Sequence, residues 1–346
     1  MMKMITSNMQ KQESMRYNNA EGRKQIQIGN ITINSCVSLA PLAGITDFVM
    51  RQLIREYSST CLLTTEMISS EALVQRVDCN ITMTNEKELP VAFQIEGHKP
   101  DLMAKSAKIL EAKASIIDIN MGCPINKIVK GNDGCSLMKN PKLAQDIVIA
   151  VKETVDIPVT CKFRLGWSQS SKNFIEFAQL MQASGAGAVT VHARTRTDMY
   201  SGIADWKELS KLKGEIDIPY FANGDIISPE TAKECLEISK ADGIAVGRAA
   251  MGDLSLIYRI EKYLNEGILL PAPDLDEKLR MLKKHLDFQI AFRGEETGIK
   301  FFRKFYPCYI RNIRGGAEYR HRLVTELNYD NIVSILNEIC LNAGNE

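Results

Sequence analysis

Between residues 36 and 247 short apolar runs recur without strict alternation: CVSLA (36–40), CLLTTE (61–66), PVAFQI (90–95), SIIDIN (115–120), IPVTCKFR (157–164), GAVTVHA (187–193), IPYFAN (218–223) and DGIAVG (242–247). Runs that are β-branched and apolar at successive positions predict strands buried on both faces, as in a parallel sheet. Between them DLMAKSAKILEAK, PKLAQDIVIAVKETV, FIEFAQLMQASG and SPETAKECLEIS repeat their apolar positions at helical spacing. Pro141 opens the second, Gly185 closes the third, and Ser228 before Pro229 is an N-cap followed by a first-turn proline. Eight strands alternating with helices predict an α/β fold, a (β/α)8 TIM barrel. A doubly wound open sheet would carry G-x-G-x-x-G after its first strand, and none follows here.

Beyond Tyr263 the pattern changes. GILLPAPDLDE (267–277), with Pro271 and Pro273, reads as a linker, and only helical periodicity follows, as in LRMLKKHLDFQIAF and DNIVSILNEICL. The expected organisation is a flexible leader at 1–24, a barrel at 25–265 and an all-helical domain at 266–346. Of the 346 residues 45% are apolar and 25% charged, which excludes a disordered, collagen-like or coiled-coil chain. No run approaches the ~18 apolar residues of a membrane-spanning helix. The polar N-terminus lacks the apolar core of a signal peptide. Nine cysteines without a C-x-x-C pair fit reduced thiols rather than disulfides or a zinc site. These features predict a cytoplasmic protein without a membrane or metal partner.

A net charge of +1 announces no partner, but its distribution does. Between Lys300 and Arg322 lie seven cations against the single Glu318, interleaved with Phe301, Phe302, Phe305, Tyr306, Tyr309 and Tyr319. Such a segment is either a solvated helix face over an aromatic core stripe or a nucleic-acid surface.

Functional residues of such a barrel sit at the C-terminal ends of its strands. Read in order these are Pro41-Leu42-Ala43-Gly44, Glu66, Gln94, Asn120, Lys162 with Arg164, His192 with Arg194, Asn223-Gly224-Asp225 and Gly247-Arg248. The glycine turns after the last two strands match the usual phosphate site, where backbone N–H groups approach an anion and Arg248 can fork onto its oxygens. A phosphorylated ligand follows, with Asp225 suited to a backbone or hydroxyl contact. DINMGCP (118–124) turns Asp118 and Asn120 to one side of the sheet and holds Cys123 in a tight loop beyond the strand, as a candidate nucleophile or acid. Cys36, Cys61, Cys161 and Cys235 read as packing.

In order and spacing, APLAGITD (40–47), QIEG (94–97), DINMGCP (118–124), CKFRLGW (161–167), VHARTRTDMYSGIADW (191–206), NGDI (223–226) and VGRAAMGD (246–253) resemble the tRNA-dihydrouridine synthases, most closely the B-type bacterial branch. The resemblance covers about residues 26–325. It implies an FMN-containing TIM barrel with a C-terminal helical tRNA-binding domain that reduces the C5–C6 bond of tRNA uridines with NADPH or NADH, working as a monomer. It assigns Pro41, Leu42 and Ala43 to the flavin ring, with Gln94, Lys162 and His192 at its edge. Asn223, Gly224, Asp225, Gly247 and Arg248 would hold the ribityl phosphate. Cys123 would donate the proton, and Asn120 and Arg194 would address the uracil. The cation excess between Lys300 and Arg322 makes Arg303, Lys304, Arg311 and Arg314 the expected tRNA-docking residues. Leu42 stands where methionine is common. RKFYPCYI (303–310) departs from RKH-x-x-W-Y, with Phe305 and Cys308 replacing His and Trp.

The chemistry suits these residue types. Uracil C6 is the β-carbon of an enone, so hydride addition there builds an enolate that needs a proton at C5. A thiol with an ordinary pKa of ~8.5 keeps its proton at neutral pH yet can surrender it to an enolate. Lys162 can stabilise an anionic flavin edge, and Arg194 and Asn120 can meet the uracil carbonyls. Two other readings share parts of the pattern. One is an FMN oxidoreductase of a free pyrimidine, similar to dihydroorotate dehydrogenases, which has no use for the clustered cations. The other is a flavin-free RNA-binding barrel.

Overall fold

The computed structural model describes residues 24–75, 80–311 and 313–343. The leader expected at 1–24 lies, apart from Lys24, outside them. An antiparallel hairpin of β1 (Ile26–Ile28) and β2 (Ile31–Ile33) comes first, an element beyond the eight expected strands. The parallel strands follow: β3 (Val37–Leu39), β4 (Leu63–Thr64) with a short continuation β5 (Ile68–Ser69), β6 (Val91–Glu96), β7 (Ile116–Asn120), β8 (Val159–Arg164), β9 (Ala188–His192), β10 (Tyr220–Asn223) and β11 (Gly243–Val246). They pair in the order β3-β11-β10-β9-β8-β7-β6-β4. A Ser38–Leu62 bridge, with Leu39 N–H on Leu62 O at 2.8 Å, joins β4 to β3 and closes the barrel.

All eight expected runs are strands of this ring. Their residues are almost entirely buried, as continuous apolar runs between a barrel interior and an outer helical layer require. Helix Pro229–Ser239 starts as its sequence predicts: Ser228 and Thr231 form a capping box, with Pro229 in the first turn. The hairpin packs where β8 and β9 begin. Its turn residue Gly29 has φ +56, and a Cβ there would meet the Pro158 ring at 3.0 Å. With Ile28 fully buried, the hairpin stops the floor of the barrel, opposite the strand ends that carry polar groups.

The last barrel helix, Leu256–Glu266, ends at Gly267 in the left-handed region (φ +71). No helix forms again until Leu275, where Asp274 caps the 19-residue helix Leu275–Arg293. Helices Glu295–Phe302, Tyr306–Tyr309, Gly316–Thr325 and Tyr329–Ala343 complete the C-terminal part. Most of the aromatic stripe is core. Phe302, Phe305, Tyr306 and Tyr309 are buried, and the first two and Tyr309 pack around His285 at centroid distances of 4.4–6.1 Å. Burial pushes His285 down to about 4, so its ring is neutral, with Nδ1 3.1 Å from the Tyr309 hydroxyl.

The two parts are joined by a buried polar network. Asp47 Oδ1 caps helix Phe48–Tyr57 through the Met50 N–H, while Oδ2 accepts from Gln289 and Arg293, both at 2.8 Å. Arg293 also lies over the Phe301 ring at 3.7 Å. Asp47→Ala removes an N-cap and leaves a buried amide and a guanidinium without their acceptor. We expect it to cost about 2–4 kcal/mol in urea unfolding. A loss near 0.5 kcal/mol would show that the network is not a structural tie.

Candidate active site

The strand ends of the barrel open into a cavity of about 960 Å³ that continues toward the C-terminal helices, where Lys278, Cys308 and Arg311 line it. Every position expected to hold a cofactor lines this cavity, from Pro41, Leu42 and Ala43 round to Gly247 and Arg248, and so do Cys123 and Asn120. Arg194 does not. Its Nε and Nη2 donate to Ser201 O (2.9 Å), Gly202 O (2.7 Å) and Asp225 (2.7 Å), Nη1 lies 3.4 Å from Nε2 of the cavity-lining His192, and the side chain is 3% exposed. The structure thus places the residue expected to address a substrate behind the cavity wall, on the backbone turn at 201–202.

A chain of hydrogen bonds rises from the barrel interior to Cys123. Thr160 and Gln94 both donate to Asp118 at 2.6 Å. The Asn120 amide donates to Gln94 Oε1 at 2.8 Å, and its oxygen accepts the N–H groups of Gly122 and Cys123 at 3.1 and 3.0 Å. Asn120 is thereby oriented, with one amide hydrogen left for the cavity. Gly122 O accepts from Arg164 Nε at 2.9 Å and from the Cys135 thiol at 3.1 Å, and Cys135 N–H donates to Cys123 O at 3.0 Å. Arg164 also grips Thr195 O and Met199 O, so one buried guanidinium pins the Cys123 loop to the loop after β9. That loop brings Tyr200 to the cavity, with Arg164 and Arg248 on its ring at 5.4 and 5.2 Å.

Electrostatics sort these groups. Burial raises the Cys123 thiol above its ordinary value, against the pull of the Ile125 N–H, so it holds its proton at neutral pH. Burial, then the neighbouring Arg164, bring Lys162 down to about 8, with Asp118 acting the other way. Lys162 lines the cavity floor, and its ammonium has no hydrogen-bond or ion-pair partner among the described residues. Burial, reinforced by the cations Lys162, Arg164, Arg194 and Arg248, holds His192 well below the usual histidine range, so it is neutral.

The phosphate-type turns carry two backbone signatures. Gly224 has φ +121, and a Cβ there would come within 3.0 Å of Ala204 and His192, so glycine is required. Asp225 follows with φ +55. Burial alone would raise its carboxyl, but hydrogen bonds from Arg194 and the Ala204 N–H outweigh that and hold it below the usual range. Asn223 Nδ2 donates to Ala245 O at 2.8 Å, tying the β10 turn to β11. Arg248, half-exposed, lies 3.6 Å from Asp225 and leans on Tyr200.

In the C-terminal part the seven cations divide. Lys300 pairs with Glu296 and Arg322 with Glu338, while Arg320 donates to Ile310 O at 2.9 Å. Lys304 lies over Phe301 at 3.3 Å and beside Gly44 of the cavity-framing loop. Arg311, exposed, lines the outer end of the cavity, and Arg314 is exposed too; Arg303 is half-buried, with its Nε unpartnered. Phe305 is core against His285. Cys308 packs so closely on Gly252 that a Cβ there would meet its carbonyl at 2.3 Å.

Residues 38–337 match the family model described as dihydrouridine synthase. A probable tRNA-dihydrouridine synthase 1 of Synechocystis is 39% identical over 302 residues, 87% of this chain and 85% of that one. The tRNA-dihydrouridine synthase B of Pseudomonas putida is 39% identical over 86% of this chain and 89% of its own, and that of Pseudomonas syringae pv. tomato 36% over 93% and 97%. Among solved structures, an old yellow enzyme homologue from Zymomonas mobilis superposes with a TM-score of 0.50 at 15% identity (75% of this chain, 96% of that one). Histamine dehydrogenase from Rhizobium sp. 4-9 gives 0.56 at 13% (78% and 51%). At these identities the likeness is one of fold.

Proposed function

This chain belongs to the dihydrouridine synthase family, and from that premise we propose that it reduces the C5–C6 bond of tRNA uridines to dihydrouridine, with FMN bound in the barrel mouth and NADPH or NADH as hydride donor. The observation that carries the reading is one cavity holding a protonated thiol, an unpaired ammonium and two glycine turns at the last strands.

The residues fit FMN. An ammonium without a partner on the floor suits the anionic edge of a flavin ring, and the Gly224 and Gly247 turns with Arg248 suit its phosphate. Pro41, Leu42, Ala43, Gln94 and neutral His192 would frame the ring. When bound, the flavin supplies the hydride that adds at uracil C6. The chain's own residues do the rest. Asn120 offers its remaining amide hydrogen to a uracil carbonyl, where charge develops in the enolate. Cys123 delivers its proton to C5. Arg194 holds the Asp225 turn, and so serves the phosphate site rather than the base.

The base must leave the RNA stack to reach this depth. Arg303, Lys304, Arg311 and Arg314 on the helical part would take the phosphates around it, with the protein acting as a monomer. Among the described residues no helix is long and apolar enough to cross a membrane, and no cluster of His, Cys, Asp and Glu could hold a metal ion.

Arg248→Ala is expected to weaken FMN retention by ~1.5–3 kcal/mol, the scale of a charged hydrogen bond, as followed by flavin absorbance on dilution. Purified protein that neither carries nor takes up FMN would overturn the proposal.

A further inference from the structure

The loops around Cys123 carry an aromatic–cation cluster that has no part in the cavity. Trp167, half-buried, lies three residues beyond the end of β8. Lys139 Nζ stands 4.5 Å from the centre of its indole ring, and the Arg196 guanidinium carbon 4.8 Å. None of the three residues lines the cavity. Among the described residues no carboxylate pairs with Lys139 or Arg196, and the Arg196 Nε is buried without a hydrogen-bond partner. Asp198, two residues beyond Arg196, accepts instead from the Thr195 N–H and hydroxyl and from Gln169.

Hydrogen bonds fix this cluster to the Cys123 loop. Arg196 N–H donates to Gly166 O at 2.9 Å and Thr197 N–H to Trp167 O at 3.0 Å, which zips the loops after β8 and β9 together. Arg196 Nη2 donates at 2.6 Å to Oδ1 of Asn126, three residues after Cys123. Lys139 ends the 3-10 turn Gly134–Lys139, whose Cys135 N–H holds Cys123 O. The indole and its two cations therefore keep a set position relative to the thiol.

Their place on the rim matters. In the closed ring β8 is four strands from β3 in either direction. The cluster thus stands across the mouth from the segment after β3, where Asp47 fastens the helical part. A nucleic-acid strand that sends one base into the mouth continues on both sides of it, with a phosphate at every nucleotide. The helical cations meet that chain on one side only. An indole flanked by two cations suits the other side, because every base has a face to stack and every nucleotide a charge to neutralise.

We propose that Trp167, Lys139 and Arg196 form a second RNA-binding site, which takes a nucleotide flanking the target uridine. Its base stacks on the indole and its phosphate meets the two cations, so the RNA is held on both sides of the mouth. The inference rests on the reading of tRNA as substrate.

The test uses full-length protein loaded with FMN and an unmodified tRNA transcript. Trp167→Ala is expected to raise the KM for tRNA about 5–150-fold, the worth of one stacked base, and Trp167→Phe to recover most of that loss. Lys139→Gln combined with Arg196→Gln should make the salt slope of log affinity shallower by about 1.4–1.8, at ~0.7–0.9 per phosphate contact. FMN content and flavin reduction by NADPH should match wild type in every variant, since the three residues lie outside the cavity. Should W167A fail to retain FMN, the double cation variant carries the test, because a merely structural role would leave its salt slope in place. Unchanged tRNA affinity and slope in that variant overturn the proposal. So does loss of FMN from it as well, which makes the cluster a brace for the Cys123 loop. A change in sedimentation with unaltered tRNA affinity also overturns it, since the face would then join two copies of the chain. Failure of the parent reading would look different: the wild-type protein would form no dihydrouridine in the transcript.

Discussion

Replacing Cys123 by alanine is expected to lower dihydrouridine formation by ~10²–10⁴-fold, the worth of a positioned general acid, while flavin reduction by NADPH persists. The separation follows from the site. The thiol belongs to a loop fixed by Asn120, Arg164 and Cys135, whereas the positions proposed to frame the flavin ring lie on or just after β3, β6, β8 and β9. Removing the sulfur leaves those hydrogen bonds in place, since all of them run through the backbone of residues 122 and 123. The measurement pairs anaerobic flavin bleaching by NADPH with mass detection of dihydrouridine in tRNA. Unchanged product formation would transfer the proton to Lys162, brought down to about 8, or to water.

The second large effect is on RNA binding. If about four cations of the helical part meet phosphates, log affinity should fall with log salt at a slope of about −3 to −4, taking ~0.7–0.9 per contact. Neutralising Arg303, Lys304, Arg311 and Arg314 together should flatten that slope while FMN content and NADPH oxidation stay intact. Lys300, Arg320 and Arg322 are kept as they are: Lys300 holds Glu296, Arg322 holds Glu338 and Arg320 holds Ile310 O. Identical slopes in a salt titration would retire the helical surface and leave the barrel rim as the RNA site.

What the chain disclosed in advance follows from the range of its interactions. Strands buried on both faces announce themselves locally, because each residue must be apolar whatever its neighbours are. The β1–β2 hairpin was also legible, with Ile26, Ile28, Ile31 and Ile33 alternating about Gly29-Asn30, but it stands next to a polar stretch that masks the pattern. Arg194 is the opposite case. Its position at a strand end suggests a ligand, and only closure of the barrel brings Asp225, 31 residues later, to within 2.7 Å. The direction of the Asn120 amide is likewise non-local, since Gln94 on another strand decides it. Arg164 stood at a strand end from the start, but its three carbonyl partners lie on two different loops. The Phe305 and Cys308 departures needed the helical core to explain them, since their partners His285 and Gly252 lie 20 and 56 residues earlier in the chain.

The Asp47 network has a consequence for how a uridine is chosen. Pro41, Leu42 and Ala43 form a wall of the cavity, and four residues later the same segment is clamped to Gln289 and Arg293. The helical part is thus bolted to the lip of the reaction chamber rather than hung from the 267–274 stretch. Under the proposed function, a tRNA gripped by the helices would meet Cys123 across a span of fixed length, as in the jaws of a caliper. Asp47 would set those jaws, and selection among uridines would become a measurement of distance along the RNA rather than a reading of the bases beside the target.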